Sequence, residues 1–434
     1  MSVTVVGLLG IGILLFMLLF LGMPVGFTMA VVGFGGFWYL ISFKASLGMV
    51  GSELWNTFSS YGLTMVPLFV FMGQICFYSG LNERLFKATH TVTGHVRGGL
   101  AMATIFACAG FAAICGSNTA TAATMTAVAL PEMKKYKYNP ALSVGSIACG
   151  STLGVVIPPS LVLILVGLYT GQSISKLFYG GILAGFLLAA SFMVTIVILC
   201  WLHPDWSPRG EKRTLEEKIK ALPGFFEAFL LFALVMGGLY AGVFTPTEAG
   251  AVGSILALII SVMRRTLTWK GFTAAVVDTL QVSCMVFVLI AGAVMFSRFL
   301  ALTRIPFDIA DWVAALPFAP VAILGVIFII YIIGGALMDS LALLLITIPI
   351  FFPVAEKLGY DPLWFGVIIT VITTLGAVTP PVGASTYVVA GIAKDIGLGS
   401  VFRGVLYFLP AYIVCIILYM AVPEIITYLP SLIR

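Results

Sequence analysis

Along this chain, apolar residues come in long unbroken runs, without the short alternation of strands or the single apolar stripe of a surface helix. The runs fall at 4–22, 25–41, 61–81, 99–130, 141–169 and 177–201. After a polar stretch they resume at 225–244, 247–263, 273–296, 319–352, 363–391 and 404–422. A helix crosses a bilayer with about 20 mostly apolar residues. Hydrocarbon offers no partner to an unpaired backbone group, so runs of this kind are helical. The pattern predicts an all-α polytopic membrane protein. The two longest runs, 99–130 and 319–352, suit helical hairpins that enter and leave on one face.

The second set of runs repeats the first. Leu130-Pro-Glu-Met-Lys-Lys-Tyr-Lys-Tyr-Asn-Pro140 resembles Phe352-Pro-Val-Ala-Glu-Lys-Leu-Gly-Tyr-Asp-Pro362, with Pro131, Tyr138 and Pro140 each displaced by 222 residues. The same displacement carries Pro24 onto Pro246, Thr152-Leu-Gly154 onto Thr374-Leu-Gly376, and Pro158-Pro159 onto Pro380-Pro381. Chance reuse of Gly and Pro rarely keeps one register over such a length, so duplication is the better account. Between residues 44 and 100 the correspondence is weak.

Charge sets the orientation. Arg209, Lys212, Arg213, Lys218 and Lys220 mark 203–222 as a cytoplasmic linker, because basic loops stay on that side. With one hairpin in each half, each half crosses five times. An odd number turns the second half upside down. Lys134, Lys135 and Lys137 then fall inside and Glu356, Lys357 and Asp361 outside. Arg298 and Arg304 fall outside, mildly against the rule. Met1-Ser2-Val3 lacks a basic leader, so the first run is expected to be a retained span. The expected organisation is a first inverted repeat over 1–202 (scaffold 1–60, hairpin 99–130, broken helix 141–169). The linker 203–222 joins it to a second repeat over 223–434 (scaffold 225–270, hairpin 319–352, broken helix 363–391).

Composition agrees and excludes other classes. Of 434 residues, 61% are hydrophobic and only 9% charged, against about 25% charged in soluble domains. The net charge of +5 is scattered through short loops, with no basic face for nucleic acid. Seven cysteines sit mostly in apolar runs and three histidines near polar segments; neither set has metal-ligand spacing. Ser/His, Asp/Asp and His/Glu constellations are missing from the spans, so an enzyme is not expected. A channel would call for a symmetric filter, which an inverted repeat in one chain does not suggest.

Chemistry concentrates at two kinds of break. Each hairpin has a polar tip: Cys115-Gly-Ser-Asn-Thr-Ala-Thr121 in the first, and Leu337-Met-Asp-Ser-Leu341 after Gly334-Gly335 in the second. An acid at membrane depth is a functional candidate. Asp339 is such an acid, and it also suits a helix N-cap; the two roles are compatible. The second break is Gly154-Val-Val-Ile-Pro-Pro159 and its counterpart Gly376-Ala-Val-Thr-Pro-Pro381. Proline lacks an N–H and clashes with the preceding turn. Such a pair is either a structural kink or an unwinding that frees carbonyls for a hard cation. Thr152, Ser160, Thr374, Thr379, Ser385 and Thr386 add hydroxyls nearby. Half-helix N-termini attract anions. Candidate substrate contacts are therefore Asn118, Ser160, Asp339, Thr379, Gly383 and Ser385. Arg298 is a further candidate, with a lipid headgroup contact as the alternative. Glu248 reads as the start of a helix. Gln74, Asp278 and Gln281 are polar residues in apolar runs that suit the bundle interior. Gly33, Gly35 and Gly36 suggest close helix packing.

Phe244-Thr-Pro-Thr-Glu-Ala-Gly250, Met338-Asp-Ser, Pro349-Ile-Phe-Phe-Pro353, Gly359-Tyr-Asp-Pro362 and Thr379-Pro-Pro-Val-Gly383 together resemble the large membrane subunit of TRAP (tripartite ATP-independent periplasmic) transporters. The resemblance extends over nearly the whole chain. It implies an elevator-type secondary transporter in a bacterial inner membrane, moving organic acids such as C4-dicarboxylates or sialic acids with Na⁺. It implies two partners: a periplasmic substrate-binding protein and a small four-helix membrane subunit on a separate chain. It also implies cation sites between each tip and the neighbouring broken helix. Those carry onto Gly116, Ser117, Asn118 and Thr119 with Gly154 and Pro158, and onto Gly335, Asp339 and Ser340 with Gly376, Thr379 and Pro380. The first tip, Ser-Asn-Thr, departs toward related carriers that need no binding protein; a stand-alone Na⁺/dicarboxylate carrier is the alternative.

Overall fold

A computed structural model describes residues 2–208 and 214–432. Arg209, Lys212 and Arg213, part of the charge cluster assigned to the linker, lie outside the described residues.

The described residues form 22 α-helices and no strand. The first half contains α1 (Val3–Phe20), α2 (Val25–Leu40), α3 (Phe43–Phe58), α4 (Met65–Tyr78) and α5 (Leu81–Thr93). A hairpin follows, α6 (Gly99–Cys115) and α7 (Asn118–Lys135). Next comes a broken helix, α8 (Pro140–Ser151), α9 (Leu153–Val156) and α10 (Leu161–Thr170), then α11 (Ile174–Leu202). The second half begins with α12 (Leu215–Tyr240), α13 (Pro246–Met263), α14 (Trp269–Thr303) and α15 (Ile305–Ala314). Its hairpin is α16 (Pro320–Leu337) and α17 (Ser340–Lys357), and its broken helix α18 (Pro362–Gly376) and α19 (Ala384–Ile392). The chain closes with α20 (Leu398–Leu406), α21 (Leu409–Ala421) and α22 (Glu424–Ser431).

Among the described residues, nine helices are long and apolar enough to cross a membrane, or ten if α20 and α21, bent by 42°, make one span. The fold is all-α and polytopic, with two inverted repeats that each hold a re-entrant hairpin and a broken helix.

The displacement of 222 relates helix to helix. It takes α7 (118–135) onto α17 (340–357) and α5 (81–93) onto 303–315, where α15 lies. It also works where the residues themselves stop matching. Shifted by 222, α3 and α4 land on 265–280 and 287–300, the two ends of the single long helix α14. Backbone register has outlasted side-chain identity there.

Apolar runs underestimate some elements. Both hairpins extend to 135 and 357, because Pro131, Pro349 and Pro353 lie inside their helices instead of ending them. The amphipathic helices α3, α5 and α15 carry too many polar residues to register as apolar runs. Glu248 does start a helix: Thr245 and Glu248 form a reciprocal capping box at α13, which satisfies two end N–H groups.

The repeats interlock. α2 packs along α14 and α4 along α13, so these helices of one repeat face those of the other. α10 of the first repeat packs on hairpin helix α17 of the second, and α19 of the second on α7 of the first. Small residues allow the α2–α14 approach: a Cβ on Gly33 would fall 2.6 Å from the Met295 carbonyl carbon, and one on Gly36 2.3 Å from the Phe299 ring. Gly35 faces open space, so the packing expectation fails at that residue.

Candidate transport site

At the first tip, α6 ends in Gly116, whose φ of +64° turns the chain into the left-handed region. Glycine is required twice over, since a Cβ there would lie 2.8 Å from the Pro159 carbonyl oxygen. Ser117 is then extended and caps α7, its hydroxyl accepting the Ala120 N–H at 3.4 Å. The Asn118 carbonyl oxygen accepts the Thr119 N–H at 2.8 Å. That leaves the Asn118 amide nitrogen buried without a partner.

The second tip follows the same plan with different groups. Asp339 caps α17, one carboxylate oxygen accepting the Leu341 N–H at 3.0 Å. Ser340, 1% exposed, has a buried hydroxyl with no partner. Asn118 and Ser340 occupy equivalent positions, 222 residues apart. Both tips therefore present one unsatisfied polar side chain at the first residue of a helix. A buried polar group without a partner costs about 1–3 kcal/mol, so its retention at both tips points to a ligand.

Both groups line one cavity of about 380 Å³, together with Gly116, Ser117, Thr119 and Asp339. Val70 and Gln74 of α4 and Val282 and Met285 of α14 close the opposite wall, with Val155, Leu161 and Val388 from the broken helices. The cavity thus lies between the hairpin tips and helices α4 and α14. Gln74 faces the interior as expected. Asp278 accepts the Tyr78 hydroxyl at 2.6 Å.

The broken helices lie directly behind the tips. A Cβ on Gly154 would fall 2.7 Å from Ser117 O, and one on Gly376 2.7 Å from the Gly335 Cα. Both Pro-Pro bonds, 158–159 and 380–381, are cis. Each proline removes the N–H that would bond the carbonyl four residues back. Three of those four carbonyls find new donors. Ser160 Oγ reaches Val155 O at 2.5 Å, Thr379 N and Oγ1 reach Gly376 O at 2.9 and 3.0 Å, and Ser385 N reaches Ala377 O at 3.1 Å. Among the described residues no donor reaches Gly154 O.

The halves also differ in exposure. Residues 151–160, with Pro158, are buried throughout, whereas Pro380, Pro381 and Val382 are exposed. Gly383, at φ +62°, and its neighbour Val382 both donate to Ala336 O, at 3.1 and 3.2 Å. The second break is thereby tied to the second hairpin.

The sequence-predicted residues divide accordingly. Gly116, Ser117, Asn118, Thr119, Asp339 and Ser340 come together around the cavity. Gly154, Gly335 and Gly376 stand against the tips. Ser160, Thr379, Gly383 and Ser385 lie within the breaks and do not line the cavity. The Ser385 hydroxyl is buried and unpartnered. Thr152 hydrogen-bonds the buried Tyr412 hydroxyl. Arg298 belongs elsewhere. Its Nε bonds Glu53 Oε1 at 2.9 Å on the scaffold, and it does not line the cavity.

One charged cluster escaped the sequence reading. Glu227 on α12, 5% exposed, binds Arg84 at 2.9 Å and Arg264 at 2.6 Å. An acid inside the apolar run 225–244 was its signal. Among the described residues no group of three His, Cys, Asp or Glu is arranged to hold a metal.

Known proteins share this architecture and sequence. The family described as "Tripartite ATP-independent periplasmic transporter, DctM component" matches residues 12–425. The C4-dicarboxylate TRAP transporter large permease protein DctM of Pseudomonas aeruginosa is 33% identical over 387 residues, covering 89% of this chain and 90% of that protein. The sialic acid TRAP transporter large permease protein SiaM of Vibrio cholerae is 30% identical over 417 residues, 96% of each. The 2,3-diketo-L-gulonate TRAP transporter large permease protein YiaN of Escherichia coli is 29% identical, covering 94% of this chain and 95% of that one. The YdaH transporter of Alcanivorax borkumensis, whose crystal structure was reported for its unusual topology, superposes with a TM-score of 0.54 at 15% identity. It covers 88% of this chain and 90% of its own, a likeness of fold alone. The match over residues 12–425, together with the spans and the long alignments to large permeases, makes this multi-pass inner-membrane protein a large permease, not an enzyme, that works with a binding protein and a small membrane subunit: the chain belongs to the DctM component family of tripartite ATP-independent periplasmic transporters.

Proposed function

We propose that the chain carries an organic carboxylic acid inward together with Na⁺, the two hairpins and broken helices sliding as one body against the scaffold. The carrying observation is the pair of unsatisfied groups, Asn118 Nδ2 and Ser340 Oγ, at equivalent tips on one cavity. Among the described residues no lysine or arginine lines that cavity. A carboxylate there would be held by helix N-termini, the Asn118 amide and hydroxyls. A cation beside it would offset its charge, and the free Gly154 carbonyl and the Asp339 carboxylate are oxygen donors suited to Na⁺. C4-dicarboxylate, sialic acid and 2,3-diketo-L-gulonate, named for the relatives, all carry carboxylates; which acid this chain moves follows from its binding protein.

Thermal unfolding in NaCl, KCl and choline chloride at equal ionic strength tests the sodium step. A ligand specific to the folded state raises stability by mass action. A rise specific to Na⁺, reduced in Asn118→Ala and Asp339→Asn, is the expected result. Equal unfolding temperatures in the three salts would remove sodium from the mechanism.

A further inference from the structure

Away from the central cavity, an apolar groove opens between scaffold helices α5 and α12 and the hairpin side of the molecule. It consists of two hollows of about 210 and 280 Å³ that meet at Phe106 and Phe225. Its large side chains are not shielded by protein: Phe106, Phe186, Phe225 and Phe229 are each more than 40% exposed. Because α12 is long and apolar enough to cross a bilayer, the groove falls at membrane depth.

On α12 the lining residues Leu222, Phe225, Phe229 and Phe232 recur at helical spacing and form one stripe. Extended one turn toward the linker, that stripe begins at Lys218, four residues before Leu222. Lys218 is half-buried, while Glu216, Glu217, Ile219 and Lys220 around it are exposed. Lys220 is paired with Glu216 and Lys87 with Glu83; among the described residues Lys218 has no ion pair. From Lys218 to Phe232 is about 21 Å at 1.5 Å per residue. One leaflet of a bilayer core is about 15 Å, so the stripe has room for a lipid chain and its headgroup.

We infer that the groove holds one acyl chain of an anionic phospholipid, with its phosphate on Lys218 at the cytoplasmic face. A long lysine stem lies along apolar surface and delivers its charge at the interface, where an anionic headgroup meets it. The deep end of the chain lies against Ala113, three residues before Gly116 of the first tip, and Ile157, immediately before Pro158 of the first break. Bound lipid is thereby placed behind the first break, whose residues 151–160 are buried throughout, between the elements proposed to be fixed and those proposed to slide.

Native mass spectrometry of the purified chain tests this, after mild delipidation and incubation with phosphatidylglycerol and phosphatidylethanolamine of equal chain length. The wild-type chain should retain one phosphatidylglycerol in preference to phosphatidylethanolamine. In Lys218→Glu the preference should fall about fivefold. Ala109→Trp, which fills the half-exposed groove wall, should lose the retained lipid whatever its headgroup. Circular dichroism of both variants establishes that they are folded. Unchanged retention and preference in both would overturn the site. So would a wild-type chain that keeps no lipid at all. These readouts involve no sodium, so they stand or fall apart from the coupling proposed above.

Discussion

At the scale of the residue, the tips are specified by a few local demands. Gly116 must take φ +64° within reach of Pro159 O. Gly116→Ala should therefore cost about 1–3 kcal/mol, the usual charge for a non-glycine residue in a sparsely populated region. The loss would appear as a lower unfolding temperature. An unchanged temperature would mean that the tip relaxes freely and that its shape is not imposed by the break behind it. Ser117 and Asp339 cap their helices in equivalent places, but one is a neutral hydroxyl and the other a carboxylate. The functional and capping readings of Asp339 therefore do not compete. One oxygen serves the cap while the exposed carboxylate faces the cavity. Arg298 shows the opposite outcome. Its charge suggested a substrate contact, but a buried acid on α3 already neutralises it.

At the scale of the element, prolines end helices only where nothing compensates. Pro131, Pro349 and Pro353 sit inside hairpin helices, whereas the tandem pairs at 158–159 and 380–381 break theirs. The free ends of these elements are fastened by charge. Lys134, at the end of α7, holds both oxygens of Asp395, in the loop after α19, at 2.5 and 2.7 Å. The Lys134 ammonium keeps the Asp395 carboxyl below its ordinary range. A carboxyl depressed in the folded state adds stability above its unfolded pKa, about 3.9. That contribution is lost as pH falls through the lower, folded value. The difference in unfolding temperature between wild type and Lys134→Ala should thus be present at neutral pH and shrink below about pH 4. Both groups are exposed, so the effect is small. A difference that persists unchanged in acid would assign it to packing.

At the scale of the whole molecule, duplication yields a site with two unequal halves. The first break is buried throughout and keeps the Gly154 carbonyl without a donor among the described residues; the second is exposed at Pro380, Pro381 and Val382 and satisfies its carbonyls internally. The proposed scaffold is separately braced where Glu227 ties α12 to Arg84 of α5 and to Arg264 at the end of α13. If the hairpins slide against that scaffold, cavity residues on the two sides must change neighbours. Ala123 of α7 and Met285 of α14 line the same cavity. In a Cys115→Ser, Cys284→Ser background, which removes the native thiol that lines the cavity and the exposed one, cysteines at 123 and 285 should be joined by a short bifunctional maleimide. The yield should change at least severalfold between sodium-loaded and sodium-free protein. A yield that ignores sodium and substrate would count against sliding.

Local signals carried much of this protein. Hydropathy sets which segments enter lipid, because transfer energy sums along a segment without regard to its neighbours. The proline pairs, polar tips and 222-residue displacement were legible for the same reason: each acts through the backbone within a turn or two. The matches to Pro24/Pro246 and the capping box at Thr245 needed no tertiary information. What only the tertiary structure decided is which distant groups meet. The crossing of α10 onto α17 and of α19 onto α7 is one such outcome. Others are the re-bonding of three proline-freed carbonyls but not the fourth, the Glu53–Arg298 and Glu227 pairings, and the gathering of Asn118 and Ser340 on one cavity. Several of these partners are far apart in the chain, 245 residues for Glu53 and Arg298 and 222 for Asn118 and Ser340, while the carbonyls re-bond within eight residues only because the broken helix folds back on itself; hydrogen bonds and ion pairs act over a few ångströms, and no pattern along the chain encodes those distances.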